Sequence, residues 1–209
     1  MSSWRRRVPE ILLVLGLVTV AAGLGHALAS GPARPHTGTV PPAHTGSPPE
    51  PASAPEAPVP VSPNEVPQRV QLPTLGVDAP VQPVLPGPDH QLGVPESPGV
   101  VGWWSAGAAP SSRRGTVVLD GHVDTRSTGP GALFRVADLQ PGDPLKVTST
   151  HDTTRYRIAA VRSYPKASLP ADLFDRTGHP RLVLITCGGL FNDSTHEYDD
   201  NIVAYAVPT

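Results

Sequence analysis

A single cysteine is the most reactive group in this sequence. The 209 residues contain one cysteine, Cys187, which ends the apolar, β-prone run 182–187 and is followed by Gly188 and Gly189. The two glycines leave room for another backbone to approach the thiol closely. Cys187 can therefore be a small buried hydrophobe, a partner in an intermolecular disulfide, or a working nucleophile.

A nucleophilic thiol needs a base or a cation nearby to stabilise its thiolate. Among the eight histidines, His122 stands out because it follows the strand-like run 116–120 and is flanked by Gly121 and Asp124. If the strand continues, the side chains of His122 and Asp124 share a face. The carboxylate would then orient the imidazole, as the acid of a catalytic triad does. A purely structural histidine at a strand end is the alternative.

The N-terminus predicts that the chain is exported. A cluster of arginines (Arg5, Arg6 and Arg7) precedes residues 11–29, which are almost entirely apolar. This run approaches the ~20 residues that a membrane-spanning helix needs, and the basic cluster favours a cytoplasmic N-terminus. The alternative is a secreted protein whose signal peptide is cleaved at Ala29, the last residue of an A-x-A site. Both interpretations place the rest of the chain outside the cytoplasm.

Composition divides the chain into three parts. Residues 1–30 form the basic region and the membrane anchor. Residues 31–64 are rich in Pro, Ala, Ser, Thr and Gly, which predicts a disordered tether. Residues 65–209 have the size of one domain. The net charge of −2 and the lack of a basic tract beyond the N-terminus argue against binding to nucleic acid.

The pattern of the domain predicts a mostly β fold. Short alternating runs lie between turns, and 28 prolines argue against long helices. A hairpin is expected from residues 144–150 and 155–164, the run ending at Cys187 is expected to be central, and residues 201–207 are expected to close the sheet. Short helical turns are expected within residues 132–139 and 169–174. Seven or eight short strands with few helices predict a closed or sandwiched β architecture.

Several motifs resemble those of one enzyme family. The stretches "VVLDGHVD" and "LVLITCGG…YDDNIVAYA", preceded by "LPTLGVDAPV" and "GVVGWW", resemble sortases, the cysteine transpeptidases of Gram-positive surfaces. "TCGG" together with "GHVD" and a "DN" in the last strand is most similar to the class F group of high-GC organisms. The resemblance covers residues 69–206, and the basic, apolar and tether segments before them also match the family's layout.

The resemblance implies a fold and a reaction. The fold would be an eight-stranded β-barrel with short helices or 3₁₀ turns. Cys187 would attack the backbone carbonyl of a sorting signal of the L-P-x-T-G type, carried by surface proteins, and form a thioacyl intermediate. His122 would protonate the leaving amine and deprotonate the incoming one, for example the amine of a cell-wall precursor. The implied enzyme is a membrane-anchored monomer that uses no cofactor and no metal.

One position departs from the family pattern. Sortases place an arginine near the start of the last strand, where it donates hydrogen bonds to the substrate carbonyl or oxyanion; here Asp199 holds that place. Arg126, in the Gly/Pro-rich loop after His122, is the supporting candidate, whereas His196 and Arg181 do not match the position either. Either Asp199 points away and another group donates, including backbone amides after the cysteine, or the enzyme is slow or specialised.

Three other functions remain open from sequence alone. Capture of the thioacyl group by water would make the protein a thiol peptidase of the same fold. Loss of turnover would leave a catalytically impaired, wall-associated binding domain. A metal site could draw N and O ligands from His122, Asp124, Asp199 and Asp200, although no H-x-x-x-H or paired-cysteine spacing supports it.

Overall fold

The computed structural model describes residues 34–44, 62–86 and 92–209. Its strands are β1 (His36–Gly38), β2 (Pro67–Leu72), β3 (Val77–Val84), β4 (Val101–Trp104), β5 (Thr116–Asp120), β6 (Asp124–Thr125), β7 (Gly129–Pro130), β8 (Pro144–Ser149), β9 (Thr153–Pro165), β10 (Arg181–Asn192) and β11 (Glu197–Pro208). Short 3₁₀ helices lie at Pro63–Glu65, Pro73–Leu75, Val136–Asp138, Lys166–Ser168 and Ala171–Phe174.

The predicted N-terminal anchor lies outside the described residues. Within the described ranges, no helix combines the length and the apolar character needed to cross a bilayer.

Eight strands close into a barrel, which confirms the expected mostly β fold. Their order is β9, β11, β10, β5, β4, β3, β2 and β8, and β8 then pairs back with β9. The predicted hairpin is the antiparallel β8–β9 pair. The last strand, β11, does not close the sheet as expected, because it lies between β9 and β10. Closure falls to β9, which pairs with β11 along one edge and with β8 along the other.

Strand β10 is an interior strand, as predicted, since it pairs with β11 on one edge and β5 on the other, and its first half is buried on both faces. Leu182 and Leu184 point into the barrel core. Val183 and Ile185 point to the outer face, where they form a second apolar cluster that includes Leu173 of the last 3₁₀ helix. A strand covered on both faces reads as a continuous apolar run rather than an alternating one, which is the pattern of residues 182–187.

Part of the predicted tether is a docked strand. β1 pairs antiparallel with residues 160–162 of β9, just beyond residues 153–157, which pair with β8. Arg162 donates to the carbonyls of Thr37 and Gly38, and Arg181 Nη1 donates to the Pro41 carbonyl at 3.0 Å. The prediction of a disordered tether therefore does not hold for residues 34–44. The physical reason is that β8 does not reach residues 160–162 of β9. This part of the β9 edge would be unpaired, and β1 covers it.

We expect Gly38→Ala to release β1 while the barrel stays folded. Gly38 has a φ of +71°, and a Cβ there would lie 2.0 Å from the Ala159 carbonyl oxygen. Hydrogen exchange of the amides of residues 160–162 should become at least about tenfold faster, since each 1.4 kcal/mol of lost pairing is a factor of ten. Gly76→Ala is the matched control, because Gly76 has a φ of +69° with nothing within 4 Å. Unchanged exchange in the Gly38 variant would contradict the docking.

Candidate active site

The predicted catalytic residues lie just beyond the paired stretch of β5 and β10. Cys187 does not end its strand as expected, because β10 continues to Asn192 and pairs there with β11. β5 and β10 run parallel, with Thr116 opposite Arg181 and Asp120 opposite Ile185. Asp120 and Ile185 are the last residues of this pairing. His122 lies two residues beyond Asp120, and Cys187 lies two residues beyond Ile185. Because the carboxyl ends of parallel strands meet at the same edge of a sheet, both residues emerge on one side of the barrel.

Two hydrogen bonds join the segments that follow β5 and the paired part of β10. The Thr186 hydroxyl donates to the Gly121 carbonyl at 2.8 Å, and the Gly121 amide donates to the Ile185 carbonyl at 3.2 Å. Thr186 is buried, so its hydroxyl needs this partner. The residues next to His122 and Cys187 are therefore fixed relative to each other.

His122 and Cys187 line the same cleft, which has a volume of about 280 Å³. Its lining consists of His122, Val123, Asp124, Thr125, Arg126, Lys166, Cys187, Phe191, His196, Glu197 and Tyr198. Cys187 also lines a smaller cleft of about 160 Å³, together with Arg34, Thr186, Gly188 and Gly189. Larger clefts of about 350 and 480 Å³ lie elsewhere on the described surface, and neither is lined by the thiol.

The hydrogen bonding of His122 determines which ring nitrogen is free. Its Nε2 lies 2.8 Å from the Pro95 carbonyl oxygen. A carbonyl oxygen only accepts hydrogen bonds, so Nε2 carries a proton and Nδ1 is the nitrogen that can exchange one. The backbone is held as well, because the Leu133 amide donates to the His122 carbonyl at 3.3 Å.

Asp124 has a different partner from the one expected. Its Oδ2 accepts a hydrogen bond of 2.7 Å from the Tyr198 hydroxyl, and this bond to the carboxylate is the main cause that raises the pKa of Tyr198 to about 12. The role of orienting His122, predicted for Asp124, is taken by the Pro95 carbonyl. Asp124 instead connects the short β6–β7 hairpin to β11.

The environment of Cys187 favours the protonated thiol. Burial is the largest effect and raises the pKa of the thiol above its ordinary value. The positive charge of Lys166 lowers that pKa, whereas the negative charges of Glu197 and Asp124 raise it. The thiolate is therefore a minor species at neutral pH, and attack on a carbonyl requires a base or a cation beside the sulfur.

Arg126 reaches the cleft as the sequence suggested. Its Nη2 lies 3.2 Å from Nδ1 of His196, and both side chains line the cleft with Cys187. Arg181 has a structural role instead. It is 1% exposed, donates from Nε to the Thr116 hydroxyl at 3.1 Å, and stacks over the ring of Tyr205.

Asp199, at the family arginine position, is bound to the backbone of β10. The pairing of β10 and β11 shifts register between Gly188 and Phe191, and Gly189 there has a φ of +81°. The Asp199 Oδ1 accepts a 2.7 Å hydrogen bond from the Leu190 amide inside this bulge. Its carboxylate therefore has a local structural partner, which agrees with the alternative that another group serves the substrate.

The residues of the metal alternative do not converge. Asp124 accepts from Tyr198, and the Asp200 Oδ2 accepts from the Ser163 hydroxyl at 2.6 Å and lies 2.7 Å from Arg34 Nε. Across the described ranges, no group of three or more His, Cys, Asp or Glu side chains is arranged to hold a metal ion.

Three ionisable cleft residues were not singled out from the sequence: Lys166, Glu197 and Tyr198. Lys166 follows Pro165, the residue of β9 that pairs with Asp200 of β11. Glu197 and Tyr198 begin β11. The signal for all three is the register between β9 and β11, which brings together residues far apart in the chain.

Comparison with known proteins identifies the family and the fold. Residues 70–209 match the family model described as "Sortase domain". Similar solved structures include sortase C1 from Streptococcus agalactiae (16% identity, TM-score 0.53, covering 68% of this chain and 66% of that one) and a lid mutant of sortase A from Corynebacterium diphtheriae (16%, 0.53, 68% and 68%). Sortase C-1 from Actinomyces oris is a third (18%, 0.53, 68% and 70%).

At these identities the structural likeness concerns the fold alone. The matched region spans 66% of the length of the first of these structures. No curated protein matches the sequence.

A buried carboxyl group lies directly before the loop that carries His122. Asp120, at the end of β5, is 3% exposed, and neither of its carboxyl oxygens has a hydrogen-bond partner among the other described side chains and backbone groups. Burial raises its pKa from the ordinary 3.8 to about 7. A raised pKa in the folded state means that this group destabilises the fold as pH rises from about 4 through 7.

We therefore expect Asp120→Asn to change how stability depends on pH. The rise in pKa from 3.8 to about 7 lowers the free energy of unfolding of wild type by roughly 4 kcal/mol at pH 8, at about 1.4 kcal/mol for each pKa unit. Urea unfolding should show the variant gaining stability over wild type between pH 4 and pH 8 by an amount of this order. A difference that stays constant across this range would show that the carboxylate has a compensating partner.

Proposed function

This chain belongs to the sortase family, and we propose that it is an extracytoplasmic cysteine transpeptidase in which Cys187 is the nucleophile. The observation that carries the proposal is the parallel β5–β10 pair, which delivers His122 and Cys187 to one cleft. The apolar segment at residues 11–29 and the basic cluster before it support membrane anchoring, with release by cleavage at Ala29 as the alternative.

The first half of the proposed reaction forms a thioester. The Cys187 sulfur attacks the carbonyl carbon of the scissile peptide bond, and its proton passes to a base. His122 Nδ1 is the available nitrogen, since Nε2 already donates to the Pro95 carbonyl. The tetrahedral intermediate collapses when the C–N bond breaks and His122 returns the proton to the leaving amine. The acyl group then remains on the sulfur.

The second half reverses these roles. An incoming amine loses a proton to His122 Nδ1 and attacks the thioester carbon. The C–S bond breaks, a new amide forms, and the sulfur recovers a proton. The Pro95 carbonyl, 2.8 Å from Nε2, stabilises the imidazolium that exists between the two transfers, which is the role that an acidic residue plays in a catalytic triad.

The motifs support a more specific assignment. "GHVD", "TCGG" and the "DN" of the last strand favour a class F sortase that acts on sorting signals of surface proteins. An amine such as that of a cell-wall precursor would accept the acyl group. Both clefts that meet at Cys187 are open, with volumes of about 280 and 160 Å³, so the peptide and the amine can approach from different sides. The proposed enzyme is a monomer and needs no cofactor.

Mass spectrometry of the intact protein tests the nucleophile. Incubation with a library of sorting-signal peptides should give a thioacyl adduct on wild type and none on Cys187→Ala. Addition of an amine should convert the adduct into an amide product. Release of the free acid alone, with every amine tried, would identify the protein as a hydrolase. An adduct on another residue, or unchanged cleavage by Cys187→Ala, would refute the assignment of Cys187.

We expect His122→Ala to lower the rate of peptide cleavage by ~10²–10⁴, the range typical of acid–base groups. His151→Ala is the matched control, because His151 is exposed in the turn between β8 and β9. The measurement is the single-turnover rate of acylation, with circular dichroism as a check on folding. A loss of less than about tenfold would assign His122 a structural role.

A further inference from the structure

An acidic residue, Asp199, stands where sortases have an arginine, so the proposed active site lacks that cation. Asp199 binds the Leu190 amide of the bulge at 2.7 Å, so it neither donates hydrogen bonds nor neutralises a developing oxyanion. Two steps of the proposed reaction nevertheless create negative charge, first on the sulfur and then on the carbonyl oxygen. A preorganised donor or cation near these atoms is usually the largest single contribution to such catalysis.

Lys166 emerges next to this position from the neighbouring strand. β9 ends at Pro165, which pairs with Asp200 of β11, and Lys166 begins the 3₁₀ helix that follows. The Lys166 side chain lines the cleft that contains Cys187 and His122. The β9–β11 register thus places an ammonium group beside the strand position that Asp199 occupies.

The other cations that line the two clefts at Cys187 have closer partners than Lys166 does. The Arg126 guanidinium lies 3.2 Å from His196 Nδ1. Arg34, in the smaller cleft, forms a 2.7 Å ion pair with the buried carboxylate of Asp200. Lys166 has a looser partner, since its Nζ is 3.7 Å from Glu197 Oε2 and its side chain is 37% exposed. An ion pair of this kind between accessible groups is weak, so the ammonium is free to turn towards a substrate.

We propose that Lys166 supplies the positive charge that stabilises the Cys187 thiolate and the oxyanion of the tetrahedral intermediate, acting from the end of β9 instead of from β11. The inference rests on the proposed function. An ammonium N–H donates a hydrogen bond to the oxyanion, and no covalent bond to Lys166 forms or breaks. The lysine stays charged throughout the cycle, so His122 carries every proton.

The electrostatics of the thiol support this role. Lys166 is the cation whose charge lowers the pKa of Cys187, against burial and the carboxylates of Glu197 and Asp124. Other titratable groups also line the cleft that contains Cys187: His122, Arg126, His196 and Tyr198. Arg34 lines the second cleft. The test must therefore separate Lys166 from these neighbours.

Alkylation of Cys187 by iodoacetamide, a neutral probe, measures the thiol directly without any substrate. Lys166→Met should move the midpoint of the pH–rate profile to higher pH, because loss of a positive charge disfavours the thiolate. Glu197→Gln should move the midpoint to lower pH, and Lys166→Arg should leave it close to wild type. Lys146→Met is the matched control, because Lys146 lies on β8 and lines neither cleft at Cys187. A profile unmoved by Lys166→Met would overturn the inference.

Single-turnover acylation with an adduct-forming peptide tests the oxyanion. Lys166→Met should slow acylation by about tenfold to hundredfold, somewhat less than the ~10²–10³ lost with a fixed oxyanion donor. Lys166→Arg should recover most of the rate. If Lys166→Met is silent and Arg126→Ala cripples acylation, the donor is Arg126 and the inference is wrong.

The two assays separate this inference from the proposed function. Failure of wild type to form any adduct would refute the proposed function, and the alkylation profiles would still decide whether Lys166 acts on the thiol. An adduct that forms on Cys187 at the same rate with and without Lys166 would refute the inference alone.

Discussion

The parallel pairing of β5 with β10 is the constraint on which the rest of the structure depends. Both strands are buried, and the outer and inner apolar clusters cover β10 from its two sides. A slip of one residue would turn the apolar side chains of β10 from one cluster to the other and carry Cys187 to the opposite face. The register of this pair therefore fixes where the thiol and the imidazole emerge. The Thr186–Gly121 hydrogen bond extends this control past the last paired residues.

The walls of the cleft, by contrast, depend on contacts between separate elements. The Tyr198–Asp124 hydrogen bond and the Arg126–His196 contact both join the loop after His122 to β11. Each is partly exposed, so each contributes little to stability. The walls of the cleft are therefore joined more weakly than the paired strands β5 and β10.

The sequence was sufficient for the residues whose position depends on local pattern. A continuous apolar run predicted that β10 is an interior strand, and the place of His122 just after β5 followed from the run before it. Cys187 was expected to end its strand, but β10 continues to Asn192. It was insufficient wherever pairing between distant segments decides the outcome. β1 docks because β8 pairs with only part of the β9 edge. Asp124 binds a tyrosine from β11. Lys166 reaches the cleft because of the register between β9 and β11. In each case the local composition, which is rich in Pro, Gly and polar residues, gave no sign of a partner.

The raised pKa of Cys187 explains how a chain proposed to work outside the cytoplasm can retain one thiol. The thiolate is the form that oxidants and disulfides attack, and Cys187 has no second cysteine in the chain to resolve a sulfenic acid. Burial and the nearby carboxylates keep the resting thiol protonated, which limits such damage. The same effect would also slow catalysis if nothing opposed it. In the proposed reaction His122 and Lys166, which line the same cleft as the thiol, oppose this effect by favouring the thiolate at the moment of attack.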